Sequence, residues 1–219
     1  MKILEDASGA DTPGKAFLDF PDLHRGGAMN LLERNSMIFD SAGEHNTETA
    51  LSIAGRRAAE LGIQEVVVSS TSGKTAFKAL DILTGFRVVV VTYHCGFREP
   101  FHNVMPVSVR AELEGRGARV VSATHALSGV ERSIAKTYGG VYPVLLVADT
   151  LRLFGQGTKV AVEIAIMAAD AGALSGEDIV SVGGTARGVD TALVLKPAHQ
   201  SNVFKDLFIK EVVCKPRSS

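Results

Sequence analysis

Four short valine-rich runs constrain the fold of this chain more than any other feature of its sequence. They read EVVVSS (65–70), RVVVVTY (87–93), ARVVSA (118–123) and DIVSVGG (178–184). Their apolar middles lack the alternation of a strand that has one face in water. A strand that is apolar throughout is buried on both faces, as happens in a parallel sheet covered by helices on each side.

Segments with the periodicity of a helix separate these runs. The predicted helices are 46–62, 74–85, 107–117, 126–140, 142–157 and 158–172. Alternating strands and helices predict the α/β class, here a three-layer α/β/α domain with a mainly parallel sheet. Further strands are predicted at 36–40, 191–198 and 208–216, and the last alternates in polarity, which favours an antiparallel edge of the sheet.

Composition limits the domain organisation and the kinds of partner. Residues 1–35 are rich in Gly, Asp and Pro, and we predict an N-terminal extension that lies on the surface or against a partner subunit. The chain has 219 residues, which suits one α/β domain over 36–219 better than two full domains. A net charge of −1, without any run of Lys and Arg, argues against nucleic acid or a membrane as partner.

The cysteines and the N-terminus indicate the compartment. Cys95 and Cys214 are far apart and form no CxxC pair, so no zinc or redox motif is present and no metal site is predicted. The N-terminus lacks the apolar stretch of a signal peptide, and no apolar run approaches the roughly 18 residues of a membrane helix. We therefore expect a cytoplasmic protein.

Polar residues and glycines follow five of the predicted strands, whereas the loops at the opposite ends are shorter. Ligands of open α/β sheets lie beyond the carboxyl ends of the strands, so this asymmetry predicts a ligand site there. The alternative is that many of these hydroxyls only cap helices, as Asn46 or Thr47 can cap the helix that Gly62 ends. The candidate binding residues are Asn46, Thr47, Ser69, Thr71, Ser72, Gly73, Lys74, Thr75, Thr92, Tyr93, His94, Phe97, Gly183, Gly184 and Arg187.

The stretch VVVSSTSGKTA (66–76) has the form of a strand that ends in an anion site. A Walker A loop would need a glycine where Val68 stands, so a nucleoside triphosphate loop is disfavoured. The free N–H groups of the following helix, with Lys74, suit a terminal phosphate monoester. A capped helix with an exposed lysine is the alternative. Arg187, in the glycine-rich loop of VGGTARGVDTA (182–192), favours the phosphate site because an arginine binds phosphate through two hydrogen bonds.

Three residues are candidates for proton transfer. His94 and His125 follow strands at the predicted site edge, where each is either a proton donor or an ordinary loop histidine. Glu163 lies within the apolar helix 158–172, and buried carboxylates are rare without a partner. It is either a ligand acceptor or general base, or a structural partner of Lys159 one turn earlier. Whether the chain is an enzyme stays open.

Two of these loops resemble those of a known domain. TSGKTA (71–76) resembles the T-x-S-G-[RK]-[ST]-A loop of the pyruvate kinase C-terminal domain, where it binds the phosphate of a sugar bisphosphate effector. VSVGGTARGVDTALVLKPA (180–198) resembles the later effector loop of that domain. The closer resemblance is to free-standing pyruvate kinase α/β domain proteins, and it extends from Ser36 to the end of the chain. It is carried by HNTETAL (45–51), SSTSGKTAFKAL (69–80), VVVTYHCGF (89–97), LSGVERS (127–133), LFGQGTKVAVEIAIMAADAG (153–172) and GGTARGVDTALVLKPAH (183–199).

The resemblance implies a pyruvate kinase C-terminal-domain-like fold and a flavin mononucleotide (FMN) ligand. The phosphate monoester of FMN would suit residues 72–75, and its ring would suit Tyr93, His94 and Phe97. Pyruvate kinase chemistry belongs to a (β/α)₈ barrel of about 250 residues, so we do not expect a pyruvate kinase.

We therefore predict that the domain binds a phosphorylated small molecule, FMN, at the carboxyl edge of the sheet. Two alternatives stay open. One is an FMN-dependent or other small-metabolite enzyme, and the other is a sugar-phosphate-sensing or subunit-assembly module. We also expect a homo-oligomer.

Overall fold

A seven-stranded sheet forms the centre of the computed structural model, which describes residues 36–218. The strands are β1 Met37–Phe39, β2 Glu65–Ser69, β3 Arg87–Thr92, β4 Arg119–Ser122, β5 Ile179–Gly183, β6 Thr191–Lys196 and β7 Phe208–Pro216. Their order across the sheet is β1-β7-β6-β5-β2-β3-β4. Neighbours pair in parallel except at β6, which is antiparallel to β5 and β7. The expected class, a mainly parallel sheet with antiparallel pairing toward one side, is confirmed. The extension expected for 1–35 lies outside the described residues.

The strand at 208–216 does not lie at the edge of the sheet, so that part of the sequence prediction is wrong. β6 pairs with β7 on one side, and β1 pairs in parallel on the other, with Met37 beside Cys214. Within residues 36–218, β1 pairs with only the last three residues of β7. The first part of β7 therefore keeps the alternating exposure of a strand near the border of a sheet.

Helices cover both faces of the sheet. They are α1 Thr47–Leu61, α2 Lys74–Ile82, α3 Val107–Gly115, α4 Gly129–Tyr138, α5 Pro143–Arg152, α6 Gln156–Asp170 and α7 Val203–Asp206, with 3₁₀ turns at Glu44–Asn46 and Gln200–Asn202. The first three lie on one face; α5, α6 and α7 lie on the other, and α4 packs on α5. No helix within residues 36–218 is long and apolar enough to cross a membrane.

The valine runs are explained by these two layers. Val66 and Val68 of β2 belong to the core beneath α1–α3, whereas Val67 between them belongs to the core beneath α6. Successive side chains of a strand point to opposite faces, so a strand covered on both faces needs apolar residues at every position. Gly183 lets α6 approach β5 closely, because a Cβ there would lie 2.3 Å from the carbonyl oxygen of Gly157.

The C-terminus of α1 agrees with the sequence prediction, but its N-terminus does not. Gly62 ends the helix with a left-handed φ of 69°, as expected. Neither Asn46 nor Thr47 caps its N-terminus, because both side chains have partners elsewhere. Asn46 donates from Nδ2 to the carbonyl of Ser41 at 2.7 Å.

The chain changes direction between β2 and β5, which lie side by side in parallel near the middle of the sheet. It leaves β2 through α2 toward β3, and it leaves β5 in the opposite direction toward β6. Two neighbouring strands whose outgoing connections diverge leave a crevice between the loops at their carboxyl ends. Loops 70–73 and 184–190 flank that crevice.

Candidate functional site

A cleft of about 550 Å³ lies at this crevice, a volume within the range of small-molecule sites. Loops after β2, β3, β4 and β5 contribute to it, and α6 forms its inner wall. The predicted binding and catalytic residues that line it are Ser69, Thr71, Ser72, Lys74, Thr75, Thr92, Tyr93, His125, Glu163, Gly184 and Arg187. The structure thus brings together residues that are more than 100 positions apart in the sequence.

The other predicted site residues are not among those that line the cleft. Thr47 accepts a hydrogen bond at Oγ1 from the N–H of Val189 at 3.1 Å, and so supports the loop that carries Arg187. Asn46 holds its own turn, and Gly183 serves the packing of α6. Their assignment as ligand contacts stays a prediction, as does that of Gly73, His94 and Phe97.

The loop between β2 and α2 presents backbone donors to the cleft. Gly73 precedes the helix with φ of 97°, and a Cβ there would lie 2.3 Å from Cγ1 of Val109, so both conformation and packing require glycine. The hydroxyl of Ser70 accepts the N–H of Ala76 at 3.2 Å. The N–H groups of Lys74 and Thr75 lie in the first turn, where a helix has no internal acceptor for them. This end of α2 therefore favours an anion.

Lys74 is not a free cation in the structure. Its Nζ lies 2.5 Å from Oε1 of Glu44, in the turn before α1. The hydrogen bond from Lys74 lowers the pKa of the Glu44 carboxyl, and the charges of Lys78 and Arg187 lower it further. The loop between β2 and α2 thus meets an acidic side chain, Glu44, whose pairing with Lys74 the sequence pattern did not reveal.

The loop that carries Arg187 has a strained backbone. Ala186 has φ of 59°, a left-handed conformation that costs a residue with a Cβ about 1–2 kcal/mol. The N–H of Arg187 donates to the carbonyl of Thr185 at 2.7 Å, which closes a three-residue turn around Ala186. Asp190 fixes the far end of the loop, since its Oδ2 accepts the N–H of Gly43 at 3.1 Å. Backbone strain held in place by neighbouring contacts is common at ligand sites.

Four aromatic rings cluster beside the cleft. Tyr93 and Phe97 have centroids 4.1 Å apart, and His125 lies 5.3 Å from Tyr93 and 4.9 Å from Phe97. His94 joins the cluster 5.4 Å from Phe97, and its Nδ1 donates to the carbonyl of Cys95. Tyr93, His94 and Phe97 thus lie together with His125, while their predicted contact with a ligand ring stays a prediction.

His125 stands out electrostatically. Burial lowers the pKa of its imidazole; the nearby carboxylate of Glu163 partly opposes this, and the charges of Lys159, His94 and Arg132 add to the lowering. Among the buried side-chain polar atoms of residues 36–218, only its Nδ1 has no hydrogen-bond partner. A neutral imidazole with a free ring nitrogen next to a cleft is able to bind or transfer a proton.

Glu163 forms an ion pair with Lys159, as the structural alternative predicted. Both side chains are about 95% buried, with exposed fractions of 4% and 5%. The other oxygen, Oε1, accepts the N–H of Leu127 at 3.0 Å and so holds the loop that contains His125. Burial lowers the pKa of the Lys159 ammonium, although Glu163 opposes that effect.

Apart from Glu163, the face of α6 that lines the cleft was missed by the sequence prediction. Its lining residues are Gln156, Val160, Glu163, Ile164 and Met167. Their spacing of four, three, one and three positions is that of one helical stripe. The helix is apolar on nearly every side, so its periodicity did not distinguish the cleft-facing stripe from the buried remainder. Gln156 and Glu163, two turns apart, were the available signal.

The charges that line the cleft sum to a positive value. Lys74, Arg98 and Arg187 contribute three positive charges and Glu44 one negative charge, while Glu163 is balanced by Lys159. Within residues 36–218, no ion-pair partner faces Arg98 or Arg187. The net charge of the cleft, about +2, is equal in size and opposite in sign to the charge of a phosphate monoester dianion.

A comparison with protein-family models identifies the domain. A family model described as pyruvate kinase, alpha/beta domain, matches residues 48–195, a range that includes both anion-favouring loops. Among solved structures, the chain is similar to Cryptosporidium parvum pyruvate kinase in complex with ADP, at 13% identity and a TM-score of 0.37. That similarity covers 69% of this chain but 23% of the pyruvate kinase chain. Because the family model covers more than half of its residues, the chain belongs to the pyruvate kinase α/β domain family.

Proposed function

We propose that this domain binds a phosphorylated small molecule, FMN, in the cleft at the carboxyl edge of the sheet. The observation that carries the proposal is the meeting of two anion-favouring loops, after β2 and β5, at the switch point of the sheet. The N–H groups of the first turn of α2, the hydroxyls of Ser72 and Thr75, and the side chains of Lys74 and Arg187 would bind the phosphate.

The inner part of the cleft supports a flat, uncharged ring. Tyr93 and His125 line it with aromatic surface, and Val160, Ile164 and Met167 of α6 supply an apolar wall. The Nδ1 of His125 is buried without a hydrogen-bond partner within residues 36–218, so a rotation of the imidazole would let it bond to a ring nitrogen of the ligand. Bound FMN would supply reversible electron transfer, while the chain's own residues would bind, orient and shield it from water.

The test uses two ligands that differ only in the phosphate. Titration by flavin fluorescence should show that FMN binds at least tenfold more tightly than riboflavin. Lys74→Ala should weaken FMN binding about tenfold, because a hydrogen bond to a charged group is lost and Lys74 is largely exposed. Riboflavin binding should not change in that variant.

A matched control lies one turn along the same helix. Lys78 does not line the cleft, so Lys78→Ala should leave FMN affinity within twofold of the unaltered protein. Failure to bind FMN, together with failure to bind glucose 6-phosphate, would refute the proposal. Binding of glucose 6-phosphate alone, dependent on Lys74, would replace FMN with a sugar phosphate and favour a sensing role.

A further inference from the structure

Glu44 forms an ion pair with Lys74 at the edge of the cleft. The two side chains reach across the seam between α1 and α2 at 2.5 Å, from positions 30 residues apart. Lys74 is 71% exposed and Glu44 39%, so both head groups remain accessible from the cleft. A phosphate bound at this helix end would share the positive charge of Lys74 with the Glu44 carboxylate.

We propose that Glu44 is an internal competitor for the ligand's phosphate, whose displacement from Lys74 sets the affinity of the site. The inference rests on the proposed phosphate site and adds its regulation. The Lys74 ammonium has three N–H donors, and Glu44 uses one of them through Oε1. A phosphate dianion at the same ammonium would lie close to the Glu44 carboxylate, and the repulsion between the two anions makes them compete for Lys74. The ligand therefore gains the full charge of Lys74 only when the Glu44 carboxylate moves away.

Hydrogen bonds on both sides fix the backbone around Glu44, so the Glu44 carboxylate stays near Lys74 even when their ion pair is broken. Gly43 donates its N–H to Asp190, and Thr47 accepts from Val189, so the turn is tied on both sides to the loop of Arg187. Gly188 allows this contact, because a Cβ there would lie 2.8 Å from Cα of Glu44. Only the side chain of Glu44 has to rotate, so release is local, and the carboxylate stays within reach of Lys74.

The Glu44 carboxylate is negatively charged at every pH at which a phosphate ester is a dianion. The hydrogen bond from Lys74 lowers the pKa of Glu44, and Lys78 and Arg187 act in the same direction. The second ionisation of a phosphate ester has a pKa of about 6. Glu44 is therefore ionised throughout the pH range in which the dianion binds, and it opposes the dianion both by competition and by repulsion.

A second ion pair on the same seam provides a matched control. Glu48 and Lys78 pair at 2.6 Å one turn further along both helices, and neither residue lines the cleft. Glu44→Gln should tighten FMN and inorganic phosphate binding about three- to tenfold, the range expected when one exposed ion pair and one like-charge contact are removed. Glu48→Gln should change either affinity less than twofold.

The ionisation of Glu44 gives an independent readout. Saturation with FMN should raise its pKa, measured by carbon NMR of the labelled carboxyl, because the hydrogen bond from Lys74 is replaced by a facing anion. Lys74→Ala should raise it in the free protein.

The outcomes separate this inference from the proposed function. If Lys74→Ala weakens binding but Glu44→Gln leaves both affinities unchanged, the phosphate site stands and the competitor is refuted. If neither the unaltered protein nor Glu44→Gln binds FMN, glucose 6-phosphate or inorganic phosphate, both are refuted. Binding detected only in Glu44→Gln supports the competitor.

Discussion

The ion pair between Lys159 and Glu163 gives a sharp energetic prediction, because it is buried within the wall of the cleft. Removal of one partner leaves the other as a buried, uncompensated charge, which typically costs about 3–5 kcal/mol of stability. We expect a loss of that size in Lys159→Met, whose side chain fills similar space. Glu163→Gln should lose a comparable amount, although it keeps an acceptor for the N–H of Leu127.

The double variant is the informative one. Lys159→Met with Glu163→Gln removes both charges while retaining the acceptor for Leu127, so its stability should lie within about 1–2 kcal/mol of the unaltered protein. Urea unfolding followed by circular dichroism measures all four free energies of unfolding, provided that the transitions are two-state. The exposed pair of Lys78 and Glu48 is the control, and Lys78→Met should leave the urea midpoint nearly unchanged.

The pH dependence supplies a second check on the same pair. Burial lowers the pKa of Lys159 below its ordinary value of 10.5, so between the lowered value and 10.5 the unfolded chain binds more protons than the folded one. The free energy of unfolding therefore rises with pH in that window. Glu163→Gln removes the carboxylate that opposes the lowering of the Lys159 pKa. The stability that this variant loses relative to the unaltered protein should therefore become smaller as the pH is raised from about 7 to about 9.5. Additive losses in the double variant, or single losses below about 1 kcal/mol, would refute the reasoning.

Two further predictions concern residues beside the cleft. Burial lowers the pKa of His125 below 6.5, so the folded protein holds that proton less tightly than the unfolded chain, and stability should decrease as the pH falls below about 6.5. Proton NMR of the imidazole should show the lowered midpoint, and His125→Gln should flatten the acid limb of the stability curve. Gly73→Ala should lower the free energy of unfolding, measured in urea, by about 2 kcal/mol or more. Gly62→Ala is the control, because Gly62 also has a positive φ but an added Cβ would meet open space there. It should cost about 1 kcal/mol. Equal costs for the two glycine variants would contradict the packing of Gly73 against Val109.

The layered fold was predictable because its cause is local. Val67 between Val66 and Val68 indicates burial on both faces without knowledge of any neighbour. The order of strands was not predictable in the same way: the parallel contact of β1 on β7 joins residues from opposite ends of the described chain, and nothing in FIKEVVCKP (208–216) indicates it. The alternating polarity of 208–216 predicted an edge strand because it indicates one solvent-exposed face. The short strand β1 pairs only with the end of β7, so the first part of β7 stays partly exposed.

The candidate site was predictable to the extent that its residues follow strands. Lys74 and Arg187 were found because each stands directly after a buried strand, at the edge where parallel strands end together. Glu44 also follows a strand, but its pairing with Lys74 depends on how α1 packs beside α2, which sequence spacing does not encode. The cleft wall formed by α6 was not predictable from periodicity, because the helix is apolar on nearly every side.

The distribution of charge within the cleft argues for a ligand with one ionic end and one neutral end. Lys74, Arg98 and Arg187 are all exposed at its rim, where a phosphate would keep part of its hydration. Deeper in the cleft, Glu163 is neutralised by Lys159, and burial lowers the pKa of His125 and so favours its uncharged form. A ligand charged along its whole length would leave ionic groups against this neutral interior and lose solvation without compensation. A phosphate monoester joined to a flat neutral ring has the opposite arrangement, which is the physical reason to test FMN before sugar bisphosphates.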